Sequence, residues 1–304
     1  MRLAEIFGDG MVLQAGRPIR IFGRGGGKAR VEFCGEIREF DGWASKWQVE
    51  FGPMPYGGPY EMKTTVDGRE RTLRDVYVGD VFLFSGQSNM QMRLRDTNFP
   101  EADYEALPGV RVFTCERMEG GEAYLPTDGW GSPTRENAGG LSALEYLAAR
   151  RLARGRKTAV GIVGYYQGAA DIQCFLPPRA FAEHPEYVIP TEEKFDNAYP
   201  WNKADASLYD FAFRSIAPFS FGGVAFYQGE SNASEKESAL YGDMLECMLR
   251  EWRCDLGARR ATSSTPSARP SLASASPRRS TPSRVAARRP VVTAQVAAAK
   301  RTAT

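Results

Sequence analysis

Apolar and polar positions along the chain follow two different periods. Up to about residue 75 they alternate in short runs, in Met11-Val12-Leu13, Ile19-Arg20-Ile21-Phe22, Arg30-Val31-Glu32-Phe33, Trp47-Gln48-Val49-Glu50-Phe51 and Tyr60-Glu61-Met62. A period of two marks half-buried strands. Gly23 to Gly27, Asp41-Gly42, Gly57-Gly58-Pro59 and Asp67-Gly68 punctuate these runs as turns. Residues 1–75 are therefore expected to form an N-terminal β-rich domain of sandwich type, with Gly23 to Gly27 as a hairpin loop.

Residues 76–256 change pattern. Val76 to Phe84, Ala159 to Val163 and Val224 to Tyr227 are apolar runs of strand length. Leu141 to Ala153 is amphipathic, with Leu141, Leu144, Leu147, Ala148 and Leu152 near one face. Glu235 to Trp252 is the clearest helix, with Leu240, Met244, Met248 and Trp252 at steps of four. Strands alternating with helices predict an α/β domain, a parallel sheet flanked by helices.

From Gly257 to Thr304 the chain turns to Ala, Ser, Thr, Pro and Arg, without one aromatic residue. Such a segment buries too little to offset the entropy of ordering, so residues 257–304 are expected to be a disordered basic tail. The shift is abrupt within Arg253-Cys254-Asp255-Leu256-Gly257. It is read here as a truncation or a shifted frame in GC-rich coding sequence, the alternative being a genuine basic tail. Without further strands after Trp252, the sheet is expected to keep an open edge.

Charge and composition narrow the function classes. The net charge of +2 hides an asymmetry: the tail holds ten basic and no acidic residues, which leaves 29 basic against 37 acidic ones in 1–256, a formal charge of −8. An acidic folded part argues against nucleic acid as partner. No apolar run approaches the about 18–20 residues of a membrane helix, so no membrane partner is expected. Met1 to Gln14 carries Glu5 and Asp9 and lacks the apolar stretch of a secretory leader. Five cysteines without a Cys-x-x-Cys pair argue against a zinc site or a disulfide framework. Both observations lead to an expected cytoplasmic location.

Candidate chemistry sits at strand ends. Phe84-Ser85-Gly86-Gln87-Ser88-Asn89-Met90 follows an apolar strand directly. Open α/β sheets bind ligands at the carboxyl ends of their strands. It is not the nucleophile elbow of α/β-hydrolases, which has glycine two residues after the serine, where this chain has Met90. Gln228-Gly229-Glu230-Ser231-Asn232 repeats the arrangement after Ala225-Phe226-Tyr227, and Gly164-Tyr165-Tyr166-Gln167-Gly168-Ala169 forms a third loop. Three such loops converging on one pocket would place backbone donors about 3 Å from a developing oxyanion. Gly23-Arg24-Gly25-Gly26-Gly27-Lys28 fails the phosphate-loop spacing, because Lys28 is followed by Ala29.

These residues carry a resemblance. The chain resembles the sialate O-acetylesterase group of SGNH-type carbohydrate esterases. Phe7-Gly8-Asp9-Gly10-Met11-Val12-Leu13-Gln14 is similar to the group's opening motif, and Gly57-Gly58-Pro59-Tyr60 to the end of its β domain. Asp75 to Val81 running into Ser85 to Met90, then Phe226 to Asn232 and Trp252-Arg253, complete the match over roughly residues 5–256. The resemblance implies an SGNH-hydrolase-like sheet and a serine esterase, with no metal or organic cofactor. Its substrate would be an acetylated sugar, sialic acid or a relative. Carried over residue by residue, Ser88 would be the nucleophile, with Ser88, Gly168 and Gln228 at the oxyanion hole. Gln87, Asn89, Glu230 and Asn232 would support them. The family's Trp-Gly-Gly-Thr reads Tyr166-Gln167-Gly168-Ala169 here.

The resemblance also implies a base, a histidine in an Asp-x-x-His segment after the second motif. No histidine follows Asn232; the single one, His184 in Ala182-Glu183-His184-Pro185-Glu186, matches no family motif. The alternative reading is therefore a catalytically impaired remnant that at most binds sugar. Residual rate would then come from the oxyanion hole and binding alone.

Overall fold

The computed structural model describes residues 1–115, 129–194 and 204–257, and the backbone of 291–296. Eight strands come first: β1 (Arg2–Leu3), β2 (Val12–Gln14), β3 (Ile19–Arg24), β4 (Gly27–Phe33), β5 (Glu36–Gly42), β6 (Lys46–Phe51), β7 (Gly57–Val66) and β8 (Arg69–Gly86). They form two layers, β1-β3-β6 and β5-β4-β7-β8, with β2 alongside β8. On β6 Trp47, Val49 and Phe51 are buried while Lys46, Gln48 and Glu50 face water, and Phe51 meets Phe33 of the other layer edge-on at 6.0 Å. The expected strands are all present. The Gly23 to Gly27 segment is not a hairpin loop, however: β3 pairs with β1 and β6, β4 with β5 and β7, so the glycines carry the chain between layers.

The 18-residue β8 joins the two halves of the protein, and positions 75 and 76 lie inside it. Its first part pairs antiparallel with β7. The further strands among the described residues are β9 (Val110–Thr114), β10 (Val160–Tyr166), β11 (Gly223–Gln228) and β12 (Val291–Val296). The second part of β8 lies between β10 and β11, giving a parallel sheet in the order β9-β10-β8-β11-β12. The opening motif secures this strand. Asp9 Oδ1 accepts the Arg74 N–H at 2.8 Å, and Gln14 Oε1 accepts the Val81 N–H at 2.8 Å just past the end of β2.

Among the described residues five α-helices accompany the sheet: α1 (Ser88–Gln91), α2 (Ala143–Ala153), α3 (Pro178–Glu183), α4 (Arg214–Ile216) and α5 (Glu235–Asp255). Side chains of β10 alternate between two cores. Val160, Ile162 and Tyr166 join Tyr146 and Ala149 of α2 on one face, and Val163 and Tyr165 join the α5 side on the other. There Trp252 stacks on Phe213 at 4.6 Å, and its Nε1–H donates to Phe175 O at 3.0 Å. Ser142 and Ser234 cap α2 and α5, accepting from Glu145 N and Glu237 N.

Two expectations are corrected. The buried face of α2 is Ala143, Glu145, Tyr146 and Ala149; Leu144 and Leu147 are exposed. A carboxylic acid, not the leucines, packs under the sheet, because Gly164 of β10 leaves room for it: a Cβ there would lie 2.1 Å from Glu145 Oε1. In the tail, the disorder expected for 258–290 and 297–304 lies outside the described residues, but Val291–Val296 run parallel to β11 on the edge expected to be open. Composition argued from burial, whereas an edge strand is held by backbone hydrogen bonds, and four of these six residues are β-branched. None of the five cysteines is paired. No helix among the described residues is long and apolar enough to cross a membrane.

Candidate active site

The site begins where β8 ends. Gly86 has φ +146°, and a Cβ on it would stand 2.0 Å from Tyr227 O of β11. Only glycine lets the two strands close up at this point. Gln87 follows, its N–H donating to Tyr227 O at 3.0 Å, and the chain turns into α1 with Ser88 as first helical residue. Ser88 is exposed while Gln87 and Met90 on either side are buried. Among the described residues, no group hydrogen-bonds the Ser88 hydroxyl.

Gln87 turns inward and binds the second motif. Its Oε1 accepts from Gln228 Nε2 at 3.0 Å, Gly229 N at 3.2 Å and Ser231 N at 3.2 Å, and its Nε2 donates to Ser231 Oγ at 3.1 Å. Gln228 is fully buried. Its Nε2 also approaches Ala170 O at 3.1 Å and Asn232 Oδ1 at 2.7 Å, so its two hydrogens are shared among three acceptors. The Tyr241 hydroxyl, 2.8 Å from both Gln228 oxygens, donates from α5. Burial, and then the Glu230 charge, push this phenol up, so it stays protonated as a donor. Asn232 completes the network, accepting from Ile172 N at 2.8 Å and donating to Gln173 Oε1 at 2.9 Å and Glu237 Oε1 at 3.1 Å.

The third loop leaves β10. Gln167 N donates to Gly86 O at 3.0 Å. Gly168 then faces the serine: a Cβ built on it would lie 3.8 Å from Ser88 Cβ. Ala169 is held at φ +61°, in the left-handed region, which shapes this turn. Asn89 Nδ2 donates to Glu230 Oε1, while Glu230 Oε2 is shielded from solvent and has no hydrogen-bond partner among the described residues.

All seven sequence-predicted residues are thus brought to the adjoining ends of β8, β10 and β11. Ser88 and Gly168 face each other. Gln87, Gln228 and Asn232 form the buried network beneath them, and Asn89 and Glu230 pair beside the serine. Gln228 spends its amide hydrogens inside that network, where it holds Gln87 in place. His184 does not join the group. It ends α3, its Nδ1 is 3.1 Å from Glu186 Oε1, and its ring stacks on Tyr187 at 4.7 Å. One residue missed from the sequence touches the site directly: Gln91 Oε1 accepts the Gly168 N–H at 2.6 Å. It stands one position past the Ser85 to Met90 motif, and nothing in its spacing marks it.

The sequence and the fold have counterparts. Residues 78–263 match the family model described as carbohydrate esterase, sialic acid-specific acetylesterase. The chain is 27% identical to a sialate O-acetylesterase of Rattus norvegicus over 303 residues, covering 83% of this chain and 56% of that protein. Identity to the sialate O-acetylesterase of Homo sapiens is 27% over 280 residues, covering 83% of this chain and 53% of that protein. The crystal structure of a carbohydrate acetylesterase from Xanthomonas citri aligns with a TM-score of 0.69 at 28% identity, over 84% of this chain and 57% of that one. The chain therefore spans little more than half the length of the curated relatives it matches.

Proposed function

We propose that this chain, which belongs to the sialic acid-specific acetylesterase family of carbohydrate esterases, carries the nucleophile and oxyanion elements for removing O-acetyl groups from sialic acid or a related acetylated sugar. The observation that carries the reading is the closeness of Ser88 and Gly168, at the ends of neighbouring parallel strands, over a buried polar network. Ser88 Oγ attacks the acetyl carbonyl carbon, and the carbonyl oxygen takes the negative charge. The N–H groups of Ser88 and Gly168 stabilise it. The C–O bond to the sugar breaks, the proton released from Ser88 is delivered through solvent to the departing sugar oxygen, and water then attacks the acetyl-serine, releasing acetic acid and restoring the Ser88 hydroxyl. Gln228 contributes through Gln87 and the Ala170 carbonyl, which fix the two loops relative to each other.

The base that takes the Ser88 proton is not assigned to His184, which is engaged with Glu186 and Tyr187. Turnover by this chain is accordingly expected to be slow. The test is hydrolysis of an aryl acetate by the chain and by Ser88→Ala. A rate at least tenfold above that of Ser88→Ala, about 1.4 kcal/mol of barrier, supports the esterase reading; equal rates sink it. Acetate release from O-acetylated sialic acid against an acetylated neutral sugar then decides the substrate.

A further inference from the structure

Resting on that esterase reading, we infer that Gln91 is a positioning residue that occupies the Gly168 oxyanion donor in the free protein, and that the acyl oxygen of a substrate must displace it. One contact and its chemistry lead there. The N–H of Gly168, the residue on which a Cβ would lie 3.8 Å from Ser88 Cβ, points at Gln91 Oε1 at 2.6 Å. The contacting atom is an oxygen on chemical grounds, because a backbone N–H accepts no hydrogen bond from a side-chain NH2. A carboxamide oxygen has the same planar geometry as the carbonyl oxygen of an ester and is the stronger acceptor, so Gln91 stands in for the group that reacts.

The remaining surroundings fit a displaceable contact. Gln91 ends the one-turn helix that Ser88 begins, and its own N–H is held by Gln87 O at 3.0 Å, so its backbone is fixed while its side chain is only half-buried. A Cβ on Gly168 would lie 3.2 Å from Gln91 Oε1, so the glycine gives the carboxamide its close approach. A bound ester therefore trades one acceptor for another at Gly168. The net gain is small in the ground state. It grows as the acyl oxygen becomes an oxyanion, since an ionised acceptor bonds about twice as strongly as a neutral one. Gln91 thereby biases the site against weakly held carbonyl compounds, including water-bridged product, without reducing stabilisation of the transition state to the same degree.

The experiment follows the Gly168 amide by 1H–15N NMR in the full chain during titration with sodium acetate, with sodium chloride as the ionic control. Acetate is expected to shift this amide, with an apparent Kd about tenfold lower in Gln91→Ala than in wild type (~1.4 kcal/mol). Gln91→Glu is expected to abolish the response at pH 8 and to regain it as the pH is lowered through titration of the new carboxylate, a profile that a merely structural role would not produce. Equal Kd values in wild type and Gln91→Ala overturn the inference, as does a Gly168 amide that acetate leaves unmoved in both. Because acetate binding needs no turnover, a result of equal aryl acetate hydrolysis by wild type and Ser88→Ala would remove the esterase reading while leaving this competition measurable.

Discussion

Glu145, packed against Gly164 and Tyr166 of β10, is a buried carboxylic acid that makes a quantitative prediction. It is 1% exposed on the sheet-facing side of α2; among the described residues its Oε1 has no hydrogen-bond partner and the Tyr166 hydroxyl alone reaches Oε2, at 3.3 Å. Burial pushes its carboxyl up to about 8, partly opposed by that hydroxyl. The folded protein therefore keeps a proton that the unfolded chain, with an ordinary glutamate near 4.5, gives up. Below the unfolded value both states are protonated and Glu145 costs nothing. Between the two values stability falls as pH rises, by about 1.4 kcal/mol per pH unit for this group, and above about pH 8 the loss levels off. The accumulated penalty at pH 8 is on the order of 4 kcal/mol.

Glu145→Gln removes the ionisation and keeps an acceptor for Tyr166. Its amide brings a constant cost of its own, so the informative quantity is the change with pH of the stability difference between the two proteins. Urea unfolding of both at pH 5, 6.5 and 8 measures it. All other titrating groups are shared, so their contributions cancel. The glutamine variant is expected to gain roughly 3–4 kcal/mol relative to wild type between pH 5 and pH 8. A difference that stays constant over that range would refute the reasoning, since it would mean that Glu145 ionises normally in the folded protein.

Two further substitutions probe how the site is held. Gln228→Leu keeps the volume but removes one donor each from Gln87 Oε1 and Asn232 Oδ1, which keep backbone donors, and leaves the Ala170 carbonyl without the side-chain donor that reaches it; a loss of about 1–3 kcal/mol in urea unfolding is expected, with any Ser88-dependent aryl acetate hydrolysis falling further than stability alone explains. Gln14→Leu leaves the Val81 N–H without its acceptor in the middle of β8, and is expected to cost about 1–3 kcal/mol and to speed hydrogen exchange of the Val81 amide while sparing the Gly168 amide.

Much of this arrangement was legible in the sequence wherever one local signal decided it. The turn after Phe84 could be read because an apolar strand, a glycine and polar residues follow one another without a gap, and the same holds after Tyr227. Helix α5 was legible because its apolar residues repeat every four positions from Leu240 to Trp252, over about three turns. Elsewhere tertiary context overrode the local pattern. The leucines of α2 suggested a buried face, yet the space opposite them was decided by a glycine on another element, and Glu145 took it. Strand β5 is an edge strand carrying Glu36, Arg38, Glu39 and Asp41, so its alternation lacks an apolar side. Strand β12 is held by its neighbour's backbone, which composition does not report. Gln91 was invisible for the plainest reason: its partner is a backbone N–H 77 positions away, and any side chain with a terminal oxygen would have looked the same in the sequence.

The central claim is that the hydroxyl at position 88 is the reactive nucleophile in a cleft it shares with Gly168. Intact-mass analysis after prolonged exposure to an aryl phosphonofluoridate, followed by peptide mapping, tests it most directly, because the reagent needs both a nucleophilic oxygen and donors for its phosphoryl oxygen. One adduct is predicted, on the peptide containing Ser88, and none on Ser88→Ala. An adduct on any other residue, or equal labelling of the two proteins, would contradict the account.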